Sequence, residues 1–306
     1  METELNRDIR NAGVFRQYDE HAKKILANKY VLAYILRRTV QELHGMDIEE
    51  IVSLLNNDIS ISSTPVIPQS ISSGNLEDEV IGEGKLYYDI RFTLDFVDGK
   101  PRILFDVEAQ KKYDPGYSLI TRGIVYDARM ISGQMDREFT VQDYDGLKKV
   151  YSIWVCFNAP NYIGNCITKF SMQPEHILGD MPFEPEEYDK LSVIMICLNR
   201  KTFNYSDETI KLLNLLFPSA KEELNPDLVT ILENDYHFPK ASNLAEEANT
   251  MCNLSEGIYE KGIEEGISKI VQSGLRKGLS CEFIADKFDI PIETVKQIAE
   301  EMSCTM

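Results

Sequence analysis

Apolar and polar positions follow two different rhythms along this chain. Ile25, Leu32, Leu36, Val40 and Leu43 recur at helical spacing, which predicts a helix from about Asp19 to His44 with Asp19 as its N-cap. A shorter helix, DIEEIVSLLNN, opens at Asp47, with two acids in its first turn where they suit the helix dipole. Residues 58–78 are rich in Ser and Pro, show no sustained period, and read as a long loop. The period then becomes two. YYDIRFTLDF and RILFDVEAQKK flank Asp98-Gly99, a dipeptide that marks a tight β-hairpin. A helix from about Tyr117 to Met135 follows, then the strand-like runs YSIWVCFN, NCITKFSM and LSVIMICL. From about Ser206 the pattern is helical to the end. This order predicts an α/β fold, a mixed central sheet flanked by helices, followed by an all-helical C-terminal region. The expected divisions are a core over 1–204, a helical extension over 205–254, and a glycine-bearing helix with a small helix-turn-helix-like tail over 255–306.

The hairpin can be tested against its own sequence. A two-residue Asp98-Gly99 turn makes the numbers of opposed residues sum to 197. One face then pairs Ile90 with Val107, Phe92 with Phe105 and Leu94 with Ile103, all apolar. The other pairs Arg91 with Asp106 and Asp95 with Arg102, both of opposite charge. Such pairs favour the register by ~0.2–1 kcal/mol each. Asp89 opposite Glu108 breaks the pattern, because opposed like charges destabilise a sheet. Three arrangements relieve them: a divalent cation held by hard oxygen ligands, a raised pKa that leaves a shared proton, or solvation on an exposed strand face.

Composition narrows the class. With 43% hydrophobic and 27% charged residues in a chain of 306, the protein has the make-up of a soluble globular one. Its apolar runs are far shorter than the ~18–20 residues of a membrane span. The charged N-terminus, METELNRDIRN, lacks the apolar stretch of a secretion signal. The six cysteines form no C-x-x-C pair and the four histidines stand far apart, so neither a disulfide framework nor a zinc site is expected. A reduced, cytoplasmic protein is the expectation. The net charge of −18 runs against nucleic-acid binding. Its distribution softens that objection: residues 101–170 hold nine Lys/Arg against eight Asp/Glu, whereas 171–265 hold seven against nineteen.

Asp89, followed after the hairpin by Glu108-Ala109-Gln110, resembles the D…(D/E)-x-K signature of the PD-(D/E)XK nuclease superfamily. The resemblance is to the branch of recombination-promoting nucleases and nuclease family transposases, in which the third motif residue is often Gln. It runs over about residues 15–200 and includes the leading helix, YYDIRF, DVEAQ, the helix bearing Arg122 and Tyr126, and YSIWVCFN. It implies a restriction-endonuclease-like core and a Mg²⁺-dependent DNA endonuclease, with Mn²⁺ as the alternative cofactor. Asp89, Glu108 and the Ala109 carbonyl would hold the metal, which polarises the scissile phosphate and activates a water. Gln110 would orient that water, although it cannot supply the positive charge of Lys. Lys112, expected one step along the same face, could reach the phosphate or simply be a solvated strand-end lysine. Arg122 and Tyr126, four apart on one helix face, would brace the site or meet DNA phosphate, and without the resemblance they read as a stacked surface pair. An acid from the first helix often joins such sites, and Glu20 is the candidate. The family also carries a transposition or recombination context, which nothing else in the sequence supports.

Two other functions fit the same residues. One is a nuclease-like protein that binds DNA or a partner without cutting. The other is self-association, a homodimer through the C-terminal helices. Gly257, Gly262, Gly266, Gly274 and Gly278 stand within a helical pattern, at ~1 kcal/mol each relative to Ala, which points either to close helix packing in an oligomer or to a hinge.

Overall fold

A computed structural model describes residues 16–55, 60–61, 77–80, 84–94, 96, 102–199, 206–217 and 224–303. The described chain divides into two compact units, 16–252 and 253–303.

The expected single N-terminal helix is two helices, α1 (16–26) and α2 (Lys29–Thr39). The break lies at Asn28, whose side-chain oxygen accepts the N–H groups of Tyr30 and Val31 at 3.0 and 3.4 Å. That N-cap starts a new helix where the sequence period runs on unbroken. Asp19 therefore lies inside α1 and is not a cap. The apolar stripe itself is as expected, with Ile25, Leu32, Leu36, Val40 and Leu43 all buried. A 3₁₀ turn, Gln41–Leu43, leads to α3 (Ile48–Leu54), where the Asp47 N–H donates to Glu50 Oε2 at 3.0 Å.

The region expected to be a loop contributes β1 (Ser60–Ile61) and the start of β2 (Glu77–Val80), which pairs with β3 (Gly84–Tyr87). Pairings this short are made of backbone bonds and leave no period in the sequence. Next come β4 (Ile90–Leu94) and β5 (Ile103–Gln110). They pair antiparallel with Ile90 on Val107, Arg91 on Asp106, Phe92 on Phe105 and Leu94 on Ile103, the register the hairpin arithmetic requires. The Asp98-Gly99 turn and Asp95 lie outside the described residues, and Arg102 reaches Glu138 at 3.2 Å. YYDIRFTLDF is not one strand. It is interrupted at Tyr88-Asp89, between β3 and β4.

Helix α4 (Leu119–Ser132) leads into β6 (Lys149–Cys156), followed by β7 (Cys166–Ser171), the short α5 (Pro185–Tyr188) and β8 (Leu191–Cys197). The sheet order is β1-β4-β5-β6-β8-β7, with β5, β6 and β8 parallel and the outer pairings antiparallel. Strands covered on both faces read as near-continuous apolar runs, which is why β6 after Lys149 and β8 are apolar but for Ser152 and Ser192. On one face Phe92, Phe105 and Tyr151 stack at centroid distances of 5.0 and 5.3 Å. On the other lies α4, with Tyr126 and Met130 against Trp154 and Val193.

The close approach of α4 depends on Gly123. A Cβ there would stand 2.6 Å from Val193 Cγ1 and 3.0 Å from Trp154 Nε1. Gly123→Ala is therefore expected to destabilise the protein by about 1–3 kcal/mol through overpacking, read as a lower urea midpoint, despite the better helix propensity of Ala.

Helices α6 (Glu208–Leu216) and α7 (Leu228–Asn234) follow in this unit, which also takes in 242–252 at the start of the next helix. In the C-terminal unit the end of α8 (Ser242–Arg276) packs with α9 (Cys281–Phe288) and α10 (Ile292–Ser303) around Val271, Ile284, Ile290, Val295 and Ile298. Asp289, at φ 52°, closes α9 in the left-handed region ahead of Pro291. Gly274 has an explanation inside the chain, since a Cβ there would meet Ile284 Cδ1 at 2.8 Å. No described helix is long and apolar enough to cross a membrane.

Candidate active site

The interruption before β4 builds the site. Here the ladder is replaced by side chains: the Asp89 N–H donates to Glu108 Oε1 at 2.9 Å, and the Ala109 N–H donates to Asp89 Oδ2 at 3.0 Å. Each carboxylate thus accepts a backbone N–H from the opposite arm of the hairpin, Glu108 from Asp89 and Asp89 from Ala109. Solvation does not relieve them. Glu108 is only 4% exposed and the Asp89 side chain 17%.

Cations from α1 and α4 reach the pair. Lys23 Nζ of α1 lies 2.9 Å from Asp89 Oδ1 and 2.6 Å from Asp19 Oδ2. Burial opposes the Lys23 charge, yet Asp89 and Asp19 together hold its pKa above the ordinary lysine value. From α4, Arg122 Nη2 stands 3.8 Å from Glu108 Oε2. Arg122 also donates to the Tyr126 hydroxyl at 2.6 Å and the Tyr117 hydroxyl at 3.0 Å, and its guanidinium sits 5.0 Å from the centre of the Trp154 ring. The expected Arg122–Tyr126 pair therefore exists and faces the acids.

Behind them the polar face continues inward. Asp106 and Asp127 are completely buried. Trp154 Nε1 donates to Ser152 Oγ at 2.8 Å, and that hydroxyl lies 3.2 Å from Asp106 Oδ2. Both oxygens of Asp127 and Oδ1 of Asp106 are buried with no hydrogen-bond partner among the described residues. Burial, then the charge of Asp89, pushes Asp106 up to about 8. Burial, then Asp106, pushes Asp127 up to about 9. Glu108 is driven well above the carboxylate range by burial, Asp106 and Asp89. Burial also raises Asp89, against the opposing pull of Lys23. Of the three arrangements weighed for Asp89 and Glu108, solvation does not apply, a raised proton affinity does, and the side chains of Lys23 and Arg122 add positive charge that the sequence pattern did not reveal.

Three expected site residues are placed differently from the expectation. The Gln110 amide donates to the Lys112 carbonyl at 2.7 Å, so its N–H group is turned along the chain. β5 ends at Gln110, so strand alternation no longer places Lys112 on the face of Glu108, and its side chain is exposed. Glu20 faces Arg16 at 3.1 Å; the first-helix acid beside the site is Asp19, acting through Lys23. Lys23, Asp106 and Asp127 are the residues that sequence reasoning missed. The spacing Asp19-x-x-x-Lys23 and the series Gly123, Asp127, Met130 on one helix face are the signals that could have found them.

The scattered cysteines also converge in part. Cys156, Cys197 and Cys166 are register neighbours across β6, β8 and β7. Burial pushes Cys166 up to about 11, and the neighbouring Cys156 thiol and burial raise Cys197. Cys166 and Cys197 are thus protonated thiols.

A hard divalent cation fits the donor set in kind: two adjoining carboxylates, with the Ala109 carbonyl nearby in sequence. Among the described residues no group of three or more His, Cys, Asp or Glu is arranged to hold a metal ion. A cation at the hairpin would thus depend on two carboxylates and main-chain or solvent oxygen. Comparison with protein-family models, curated proteins and solved structures finds no match for this chain.

Proposed function

We propose that this protein is a metal-dependent DNA endonuclease with a restriction-endonuclease-like core, in which Asp89, Glu108 and the Ala109 carbonyl hold Mg²⁺ or Mn²⁺. The observation that carries the reading is that the Glu108 and Asp89 carboxylates each accept a backbone N–H from across the hairpin, from Asp89 and Ala109 respectively. This holds one buried and one partly buried carboxylate of raised proton affinity side by side at considerable electrostatic cost, and such costs are concentrated at functional sites. When bound, the cation would polarise a phosphate oxygen and lower the pKa of a water. The chain's own residues do the rest. The two backbone N–H groups orient the carboxylates, Arg122 presents a guanidinium suited to phosphate oxygens, and Tyr117, Tyr126 and Trp154 keep that guanidinium in place.

DNA contact is assigned to this unit and not to the C-terminal helices. Although α9 and α10 have a helix-turn-helix outline, α10 carries Glu293, Glu300 and Glu301 against Lys296, the wrong sign for a helix lying along phosphates. The test is relaxation of supercoiled plasmid in Mg²⁺ or Mn²⁺, abolished by EDTA.

A second reading keeps the fold without the chemistry, as a nuclease-like binding protein. It is favoured by one specific observation, that Lys23 and Arg122 already stand against the two acids while Gln110 is bonded to Lys112. Duplex binding without relaxation in either metal would select it.

A further inference from the structure

The two cations at the acid pair are held in different ways. Arg122 is fixed by the hydroxyls of Tyr117 and Tyr126 and by the Trp154 ring. Lys23 lies between two carboxylates, Asp89 on the sheet at 2.9 Å and Asp19 on its own helix at 2.6 Å. Their environments differ, the Asp89 side chain being 17% exposed and that of Asp19 46%. An ammonium is a point charge on a flexible stem with three rotatable donors. It can give up one carboxylate and keep the other without moving the helix.

We infer that Lys23 is a displaceable counter-ion of Asp89, which holds that carboxylate in the cation-free protein and yields it to an incoming divalent cation. Asp19 retains the ammonium after the exchange. The inference rests on the proposed role of Asp89 and Glu108 as cation ligands and adds how that site is loaded. The fit of the parts is physical. A partly buried carboxylate beside a second acid needs a positive neighbour to stay ordered and ionised. Two cations cannot share Asp89 Oδ1 without mutual repulsion. Asp19, one helical turn before Lys23, offers the ammonium a more solvated partner that it already touches. Lys23 thus sets a threshold for cation entry and leaves a positive charge at the edge of the loaded site.

Binding of Tb³⁺ to the full chain, without DNA, tests this apart from any cleavage. Trp154 is the single tryptophan and the register partner of Glu108 on β6, so emission sensitised through it reports an ion at the acid pair. Lys23→Met and Lys23→Gln should each bind Tb³⁺ at least about tenfold more tightly than the wild type, the competing charge being gone. Asp19→Asn, which removes the alternative partner, should bind more weakly. Asp89→Asn should lose the emission. If the Lys23 variants bind no more tightly while the wild type binds, the counter-ion role is overturned and the nuclease reading stands. Should Asp19→Asn match the wild type, Asp19 does not retain the ammonium and the exchange as stated fails. Absence of sensitised emission from the wild type and both Lys23 variants overturns the cation site itself, and the nuclease reading with it.

Discussion

Replacing Glu108 by glutamine is expected to give a protein that is more stable than the wild type and inert toward DNA. The amide oxygen of Gln keeps the bond that Glu108 Oε1 accepts from the Asp89 N–H, and its volume is that of the native side chain. What disappears is a carboxyl group, 4% exposed, crowded by Asp89 and Asp106. In the unfolded chain this group ionises freely near pH 4.3, so keeping it buried costs stability at neutral pH, and relief of on the order of 1–2 kcal/mol is expected for the variant. The same change removes one of two anionic cation ligands. Several kcal/mol of transition-state stabilisation go with it, equivalent to a fall of about a thousandfold or more in cleavage rate. Urea unfolding at pH 7.5 and plasmid relaxation on the same preparation check both halves. A Gln variant less stable than the wild type would mean that Arg122, 3.8 Å away, holds Glu108 ionised and makes it a net contributor to the fold.

Asp127→Asn should change the pH dependence of stability more than any surface substitution. An unfolded aspartate gives up its proton near pH 4, whereas burial and the charge of Asp106 keep Asp127 protonated up to about 9. Between those values the folded form binds a proton that the unfolded form has released. Raising the pH through this window therefore draws the equilibrium toward unfolding, with no effect of this group below pH 4 and the full loss reached near pH 9. Wild-type stability should fall steadily from pH 5 to pH 9. Asn at position 127 removes this titration, and should leave the protein at least about 2 kcal/mol more stable than the wild type at pH 9, with little difference at pH 4. Thermal melts across that range decide it. Parallel profiles for the two proteins would show that Asp127 is ionised in the fold and paired.

The hairpin was legible because it obeys two independent rules at once, apolar pairing on one face and charge pairing on the other. Both converge on the register found for Ile90–Leu94 against Ile103–Val107. The same arithmetic singled out Asp89 and Glu108 as the one unfavourable pair. Two things hid the rest. A cap such as that of Asn28 interrupts a helix without disturbing its period, so α1 and α2 looked continuous. Side-chain replacement of ladder bonds at Asp89 likewise leaves alternation intact while ending the strand. Lys23 and Asp127 were missed for another reason. Both reach the site from helices packed on the sheet, and which residue of a helix meets a given strand residue depends on tertiary placement, which a periodic pattern does not encode. Lys112 was expected on the face of Glu108 because alternation was extended two residues past the end of β5.

The central claim is that Asp89 and Glu108 form a metal-dependent nuclease centre, and the most direct measurement is the rate of supercoiled-plasmid relaxation by folded wild type, Asp89→Asn and Glu108→Gln in Mg²⁺, Mn²⁺ and EDTA. The account predicts relaxation by the wild type in at least one metal, none in EDTA, and loss in both variants. A folded wild type that leaves the plasmid supercoiled in both metals would contradict it, as would relaxation that survives in both variants.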